Sequence, residues 1–261
     1  MLFCPLFSGS SGNSIFVSGD KGKILVDAGV AGKNIEKELL DIEQNPNEID
    51  AIFVTHEHSD HIKGIGVMSR RYNIPIYANE LTWNAMEGKI GKIKEQNIKI
   101  INEKYIEIKD IIVENFKISH DAADPVGYAF HTKKGSAAIA TDLGHFSSEV
   151  KDVIKDADIL LLESNHDIEM LKFGPYPYVL KRRILSDVGH LSNDACGKAL
   201  IEMMNERRKQ VYLGHLSKTN NYPQLAYETV LSLLRENNIN VGKDIEITMA
   251  NRNSHSQVAC L

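Results

Sequence analysis

The chain of 261 residues is 43% apolar, enough for a substantial core, and a single domain over 1–261 is expected. Its formal net charge of −5 does not announce a nucleic-acid binder, whose affinity normally rests on a basic surface. No stretch approaches the roughly twenty apolar residues that cross a bilayer, and MLFCPLFSGSSGN lacks the basic start and sustained apolar core of an export signal, so a cytoplasmic protein with no membrane partner is expected.

In chain order, Leu2 to Leu6 and Ser14 to Ser18 read as strands around SGSSGN, a small-residue loop whose backbone can approach a ligand closely. Cys4, Cys196 and Cys260 are scattered, form no C-x-x-C pair, and read as reduced packing residues. A third strand, Lys23 to Val26, ends in Asp27-Ala28-Gly29, and an amphipathic helix follows around Asn34 to Leu40. The run Ile52 to Val54 predicts a buried strand that ends abruptly in His56, His58, Asp60 and His61. Imidazoles and a carboxylate at the end of a strand are what a zinc-class cation takes. The spacing is H-x-H-x-D-H, which is not the helical H-E-x-x-H motif, because Asp60 stands four positions after His56.

Beyond it come a helix from about Ile62 to Tyr72, a strand at Ile76 to Ala78 and a helix through Leu81 to Met86. Strands then recur at Ile98 to Ile101, Tyr105 to Ile108, Ile111 to Ser119 and Tyr128 to His131, the third of them running into His120. Ala137 to Ala140 runs into Thr141-Asp142, Ile159 to Leu162 into Glu163, and Val211 to Leu213 into Gly214-His215. A helix near Ser148 to Lys155, another in SNDACGKALIEMM, a third from about Gln224 to Leu234 and a last strand near Ile245 to Met249 complete the pattern. Basic clusters at Arg70–Arg71, Lys181–Arg183 and Arg207–Lys209 read as solvated helix faces.

Asp27, His56, His120, Asp142, Glu163 and His215 all follow apolar runs. Strands lying side by side with their ends aligned would bring these groups to one sheet edge. GHLS occurs twice, at Gly189–Ser192 and Gly214–Ser217. His215 follows a strand like the other candidates, whereas His190 precedes a helix capped by Ser192 or Asn193 and is free to donate a proton. His131, His145, His166 and His255 receive no role.

H-x-H-x-D-H at a strand end resembles the metallo-β-lactamase superfamily, α/β proteins built as a four-layer αβ/βα sandwich. That resemblance implies one ion on His56, His58 and His120, a second on Asp60, His61 and His215, and Asp142 between them. It further implies a metal-bridged hydroxide as nucleophile, Asp60 as both ligand and catalytic residue, and Asp27 as an orienting residue. Zinc is the first expectation for the two divalent ions, with manganese or iron as alternatives. Glu163 and His190 resemble a catalytic Glu/His pair of the tRNA 3′-end-processing branch. SHDAADPVGY, LLESNHD, GPYPYVLKRRI, GHLSN and YLGHLSKTNN together are similar to the YycJ/WalJ-like family, which implies a metal-dependent phosphodiesterase, an exonuclease on DNA rather than RNA. Two other readings stay open: a small-molecule hydrolase for a cyclic phosphodiester or thiolester, and a non-catalytic, metal-stabilised binding or regulatory module. Oligomeric state is not legible.

Overall fold

The computed structural model describes residues 1–261. The first sheet takes six strands in succession, β1 (Leu2–Phe7), β2 (Ser14–Ser18), β3 (Lys23–Val26), β4 (Ala51–Phe53), β5 (Ile76–Ala78) and β6 (Ile98–Ile100). The second takes β7 (Tyr105–Ile108), β8 (Ile111–Lys117), β9 (Val126–Thr132), β10 (Gly135–Ala140), β11 (Ile159–Glu163), β12 (Lys209–Gly214) and β13 (Ile245–Met249). A short β14 (Ala259–Cys260) returns to the outer edge of the first sheet, beside β1.

Both sheets follow one plan. An antiparallel meander, β1 to β3 or β8 to β10, gives way to parallel neighbours, β3 to β6 or β10 to β13. Parallel neighbours need crossovers, which helices supply. In the first half these are α1 (Gly32–Asp41), α2 (Ser59–Ile62), α3 (Ile65–Tyr72) and α4 (Glu80–Met86). In the second they are α5 (Ser148–Ile154), α6 (Ile168–Phe173), α7 (Tyr178–Ile184), α8 (Asn193–Met203) and α9 (Pro223–Glu236).

Successive side chains of a strand face opposite ways, and here each face is buried against a different layer. Ile24 and Val26 join Tyr128, Ile139 and Leu161 in the core between the sheets, while Leu25 joins Ile35 and Leu39 of α1 in an outer core. Leu160 and Leu162 likewise face Leu200 of α8 and Val230 of α9. The result is helix, sheet, sheet, helix, the four-layer order expected. Tyr128 also donates its hydroxyl to the Val54 carbonyl at 2.7 Å, tying the second sheet to the first directly before the histidine motif. Losing that donor would leave a buried carbonyl unpaired, at a cost of about 1–3 kcal/mol.

Several expectations need correction. The helix over Ile62–Tyr72 is broken, because the Gly64 backbone passes so close to the loop after β3 that a Cβ there would stand 2.3 Å from the Val30 carbonyl oxygen. The strand at Ile245–Met249 does not close the chain, since β14 follows it. Cys4 and Cys196 are packing residues, but Cys260 lies exposed on the edge strand. Burial pushes the Cys4 thiol up to about 12 and raises that of Cys196 as well. Ellman's reagent is therefore expected to find one fast thiol in the native chain, Cys260, and all three after denaturation. Three fast native thiols would contradict the packing. No helix is long and apolar enough to cross a membrane.

Candidate metal centre

The ends of β3, β4, β10, β11 and β12 meet along one edge of the sandwich. Three of the strands, β3, β10 and β12, end in a residue with left-handed backbone: Asp27 at φ 59°, Asp142 at φ 59° and His215 at φ 55°. Asp and His tolerate that region better than β-branched residues do, yet each still costs energy unless its surroundings hold it. Here they do. Asp27 N–H donates to the Phe53 carbonyl at 2.8 Å, and His215 N–H to Ser8 Oγ at 2.9 Å. The motif loop is pressed against the first turn: a Cβ on Gly29 would lie 1.6 Å from the Asp60 carbonyl oxygen, so only glycine admits this contact.

Two of the five groups of side chains that could hold an ion are His56 with His58 and His120, and Asp60 with His61 and His215. The His56 Nε2 and His58 Nδ1 atoms stand 3.0 Å apart. Asp142 lies between the groups, with Oδ2 3.3 Å from His61 Nε2 and Oδ1 3.4 Å from His215 Nε2 and 3.8 Å from His120 Nε2. The far nitrogens of four of these histidines are engaged. His61 Nδ1 meets Asp27 Oδ2 at 2.7 Å, His56 Nδ1 meets Thr55 Oγ1 at 3.0 Å, His120 Nδ1 meets the Gly189 carbonyl at 3.1 Å, and His215 Nδ1 meets Glu163 Oε1 at 2.8 Å. Partners of this kind fix ring orientation and leave Nε2 pointing into the centre. Thr55 is itself held by Asp27, through Oγ1 at 2.8 Å and its N–H at 2.9 Å.

Buried carboxylates and imidazoles in the site shift one another's affinity for protons. Burial presses His61 and His215 toward neutrality, but Asp27 and Asp142 hold His61 well above its ordinary value, and chiefly Asp142 holds His215 at about 10. Burial would raise Asp142 and Glu163, yet the neighbouring histidines keep Asp142 far below the usual carboxylate range and Glu163 at about 2. His56 and His120, with less compensating carboxylate, are depressed mainly by burial. Two atoms at the middle remain buried with no hydrogen-bond partner, Asp142 Oδ2 and His215 Nε2. Such orphans are rare in native interiors, and a divalent ion would satisfy both. The donor set therefore fits metal, and the Asn13 side-chain amide lies 3.1 Å from His61 Nε2.

Glu163 does more than the sequence suggested. Its Oε1 accepts from Nδ1 of both His190 and His215, each at 2.8 Å, and its Oε2 accepts from Leu143 N–H at 3.0 Å and Leu191 N–H at 3.2 Å. His190, whose side chain is 21% exposed, is the more open imidazole of that pair. Partial burial works against its charge, but Glu163 outweighs this and holds its pKa above the ordinary value. Sequence reasoning missed Ser8, Asn13 and Thr55. Their only signal was adjacency, the first two around SGSSGN and the third beside His56.

The unassigned histidines lie elsewhere in the network. His131 pairs with Glu114 at 3.0 Å and His255 with Glu38 at 2.8 Å, while His145 meets the Asp187 carbonyl at 3.2 Å. His166 is buried with neither nitrogen partnered, and burial depresses it to about 4.

Comparison with known proteins places this arrangement. A family model described as the metallo-β-lactamase superfamily matches residues 8–215, from Ser8 through the last candidate ligand. The chain is 48% identical over 246 residues to an exodeoxyribonuclease YycJ of Bacillus anthracis, covering 94% of this chain and 93% of that protein. It is 44% identical over 245 residues to an exodeoxyribonuclease WalJ of Streptococcus pneumoniae, covering 93% and 91%. Among solved structures, the metallo-β-lactamase fold protein YhfI of Bacillus subtilis superposes with a TM-score of 0.72 at 13% identity, covering 98% of this chain and 100% of that one, a likeness of fold. With two sheets of one plan, a strand-end histidine motif and these matches across most of its length, the chain belongs to the metallo-β-lactamase superfamily and, within it, to the YycJ/WalJ-like family.

Proposed function

We propose that this chain is a metal-dependent phosphodiesterase that degrades DNA from an end. His56, His58 and His120 would hold one divalent ion, Asp60, His61 and His215 a second, with Asp142 shared. What supports the reading most is the pair of buried, unpartnered atoms at the centre, His215 Nε2 and Asp142 Oδ2. DNA as substrate rests on the names of the relatives that match this chain over nearly their whole length. Imidazole and carboxylate donors suit zinc first, with manganese or iron as alternatives.

When bound, a pair of such ions supplies positive charge for the phosphate in flight and activates the attacking water. The remaining work falls to the protein. Asp27, Thr55, Glu163 and the Gly189 carbonyl hold the imidazoles in the orientation that leaves the inner nitrogens free. His190 Nδ1–H donates to Glu163 Oε1, so a second proton, on Nε2, is the one available to the departing oxygen. Because Glu163 is anionic and fully buried, it also favours the doubly protonated ring that such donation requires.

The test is turnover by metal-reconstituted protein of end-labelled single- and double-stranded DNA, RNA, a cyclic dinucleotide and a thiolester. Stepwise release of nucleotides from DNA is expected. Turnover confined to the cyclic dinucleotide or the thiolester, or none at all, would overturn the reading.

A further inference from the structure

The basic run Lys181–Arg183 near the end of α7, expected from sequence to be a solvated helix face, divides in the fold. Lys181 donates to the Lys172 carbonyl at 2.8 Å, and Arg182 lies over the Tyr178 ring at 6.0 Å. Arg183 reaches the rim of the metal centre instead. Its Nε donates to Asp121 Oδ2, while Asp121 Oδ1 lies 3.5 Å from His120 Nε2, the nitrogen left free for the first ion. A single carboxylate therefore separates this guanidinium from a candidate ligand.

The backbone holds Arg183 in that place. His190 N–H donates to the Ile184 carbonyl at 3.0 Å, Asp121 N–H to the Val188 carbonyl at 3.1 Å, and Ser119 Oγ to the Asp187 carbonyl at 2.6 Å. A Cβ on Gly189 would stand 2.3 Å from the Arg183 carbonyl oxygen, so the turn after α7 folds back directly against it. The Gly189 carbonyl in turn meets His120 Nδ1. One turn thus orients the His120 ring and sets the root of the Arg183 side chain.

The outer end of the guanidinium is free. Asp121 engages Nε alone, Nη1 and Nη2 have no partner in the protein, and the side chain is 50% exposed. Two Nη groups in one plane match two oxygens of a phosphate, a geometry that a lysine ammonium cannot reproduce. Arg252, the other arginine beside a candidate ligand, offers no such face: Nη2 donates to the Leu216 carbonyl, and Nη1 is buried. Asp121 therefore fixes Arg183 by its inner nitrogen and leaves the fork open at the mouth of the centre.

We propose that Arg183 is a catalytic residue that donates through Nη1 and Nη2 to the non-bridging oxygens of the phosphate being cleaved, with Asp121 as the positioning residue that aims it. This rests on the phosphodiesterase reading and adds to it a fixed positive charge on the His120 side of the phosphate. Donors already aimed at oxygens that gain charge in the transition state raise the rate as well as the affinity. Because the contact is to the reacting phosphate, its benefit does not depend on the leaving group, unlike that of His190.

Kinetics of metal-loaded protein on DNA and on a p-nitrophenyl phosphodiester, with calorimetric titration of inorganic phosphate, test it. Arg183→Ala is expected to lower kcat/KM by about 10- to 100-fold on both substrates, the worth of a charge-assisted bond, and to weaken inorganic phosphate by about 10-fold. Metal content should stay as in wild type. Arg183→Lys keeps the charge and can still pair with Asp121 but lacks the fork, so a loss of about 10-fold should remain at an unchanged melting temperature. Wild-type kinetics and phosphate affinity in Arg183→Ala would overturn the proposal and leave the nuclease reading intact. Full recovery in Arg183→Lys would also overturn it, reducing Arg183 to an ion-pair partner of Asp121. A loss confined to DNA would move the contact to a neighbouring linkage, and a loss of metal would make Arg183 a support of the first ion; either result defeats the proposal. If wild type cleaves neither substrate, the nuclease reading fails, and weakened phosphate binding by Arg183→Ala would still identify Arg183 as an anion ligand. Should Arg183→Ala not fold, Arg183→Lys decides by the same measurements.

Discussion

Asp60→Asn is expected to lower DNA hydrolysis by about 10³-fold or more while leaving the melting temperature nearly unchanged. A ligand carboxylate contributes several kcal/mol of charge stabilisation, at about 1.4 kcal/mol per decade of rate. Asp60 suits this test because its side chain is 24% exposed and no core contact depends on it. His61 does not. Although it shares the motif loop, it is fully buried and bonded to Asp27, Thr55 and Asn13, so His61→Ala would remove both a proposed ligand and part of the interior. Asp60→Asn can therefore separate the loss of a donor from damage to the interior, and His61→Ala cannot. A well-folded Asp60→Asn protein with full activity would remove the motif from the mechanism.

His190→Ala is expected to slow hydrolysis of DNA by about 10²-fold yet leave a p-nitrophenyl phosphodiester nearly untouched, because p-nitrophenolate departs without a proton and an alkoxide does not. Metal content should stay as in wild type, whereas His215→Ala should lose the second ion. Glu163→Gln should be harsher than a simple weakening of His190. The carboxylate accepts from two imidazoles on Oε1 and from two backbone N–H groups on Oε2. An amide placed there must turn its NH₂ toward one of those donor pairs, so whichever way it faces, buried donors meet donors. Loss of both activity and metal is expected for Glu163→Gln. Equal losses on both substrates for His190→Ala, or loss of metal, would move His190 among the ligands.

What was legible in the sequence follows from how locally each feature is written. The central motif stood out because four candidate ligands crowd directly behind one apolar run. His120, Asp142 and His215 were legible because each also ends such a run, and parallel strands align their ends. The pairing of Glu163 with His190 was expected from the resemblance, but its second bond, to His215 52 positions away, could not be seen, since nothing local marks it. The repeated plan of the two sheets was hidden for a related reason: the halves share strand directions, not residues. The segment holding α6 and α7 was missed because its helices are short, broken by Gly174, Pro175 and Pro177, and turn large side chains outward. Helical periodicity reports burial, and there is little burial there to report.

The central claim is a two-ion centre on these residues, and the most direct measurement is the metal content of fully active protein by mass spectrometry of the digested sample. Seven candidate donors exceed what one tetrahedral ion uses. Two equivalents per chain are expected in wild type and no more than one in His215→Ala. A fully active wild-type protein that never exceeds one equivalent would contradict the shared role of Asp142 and with it the two-ion account.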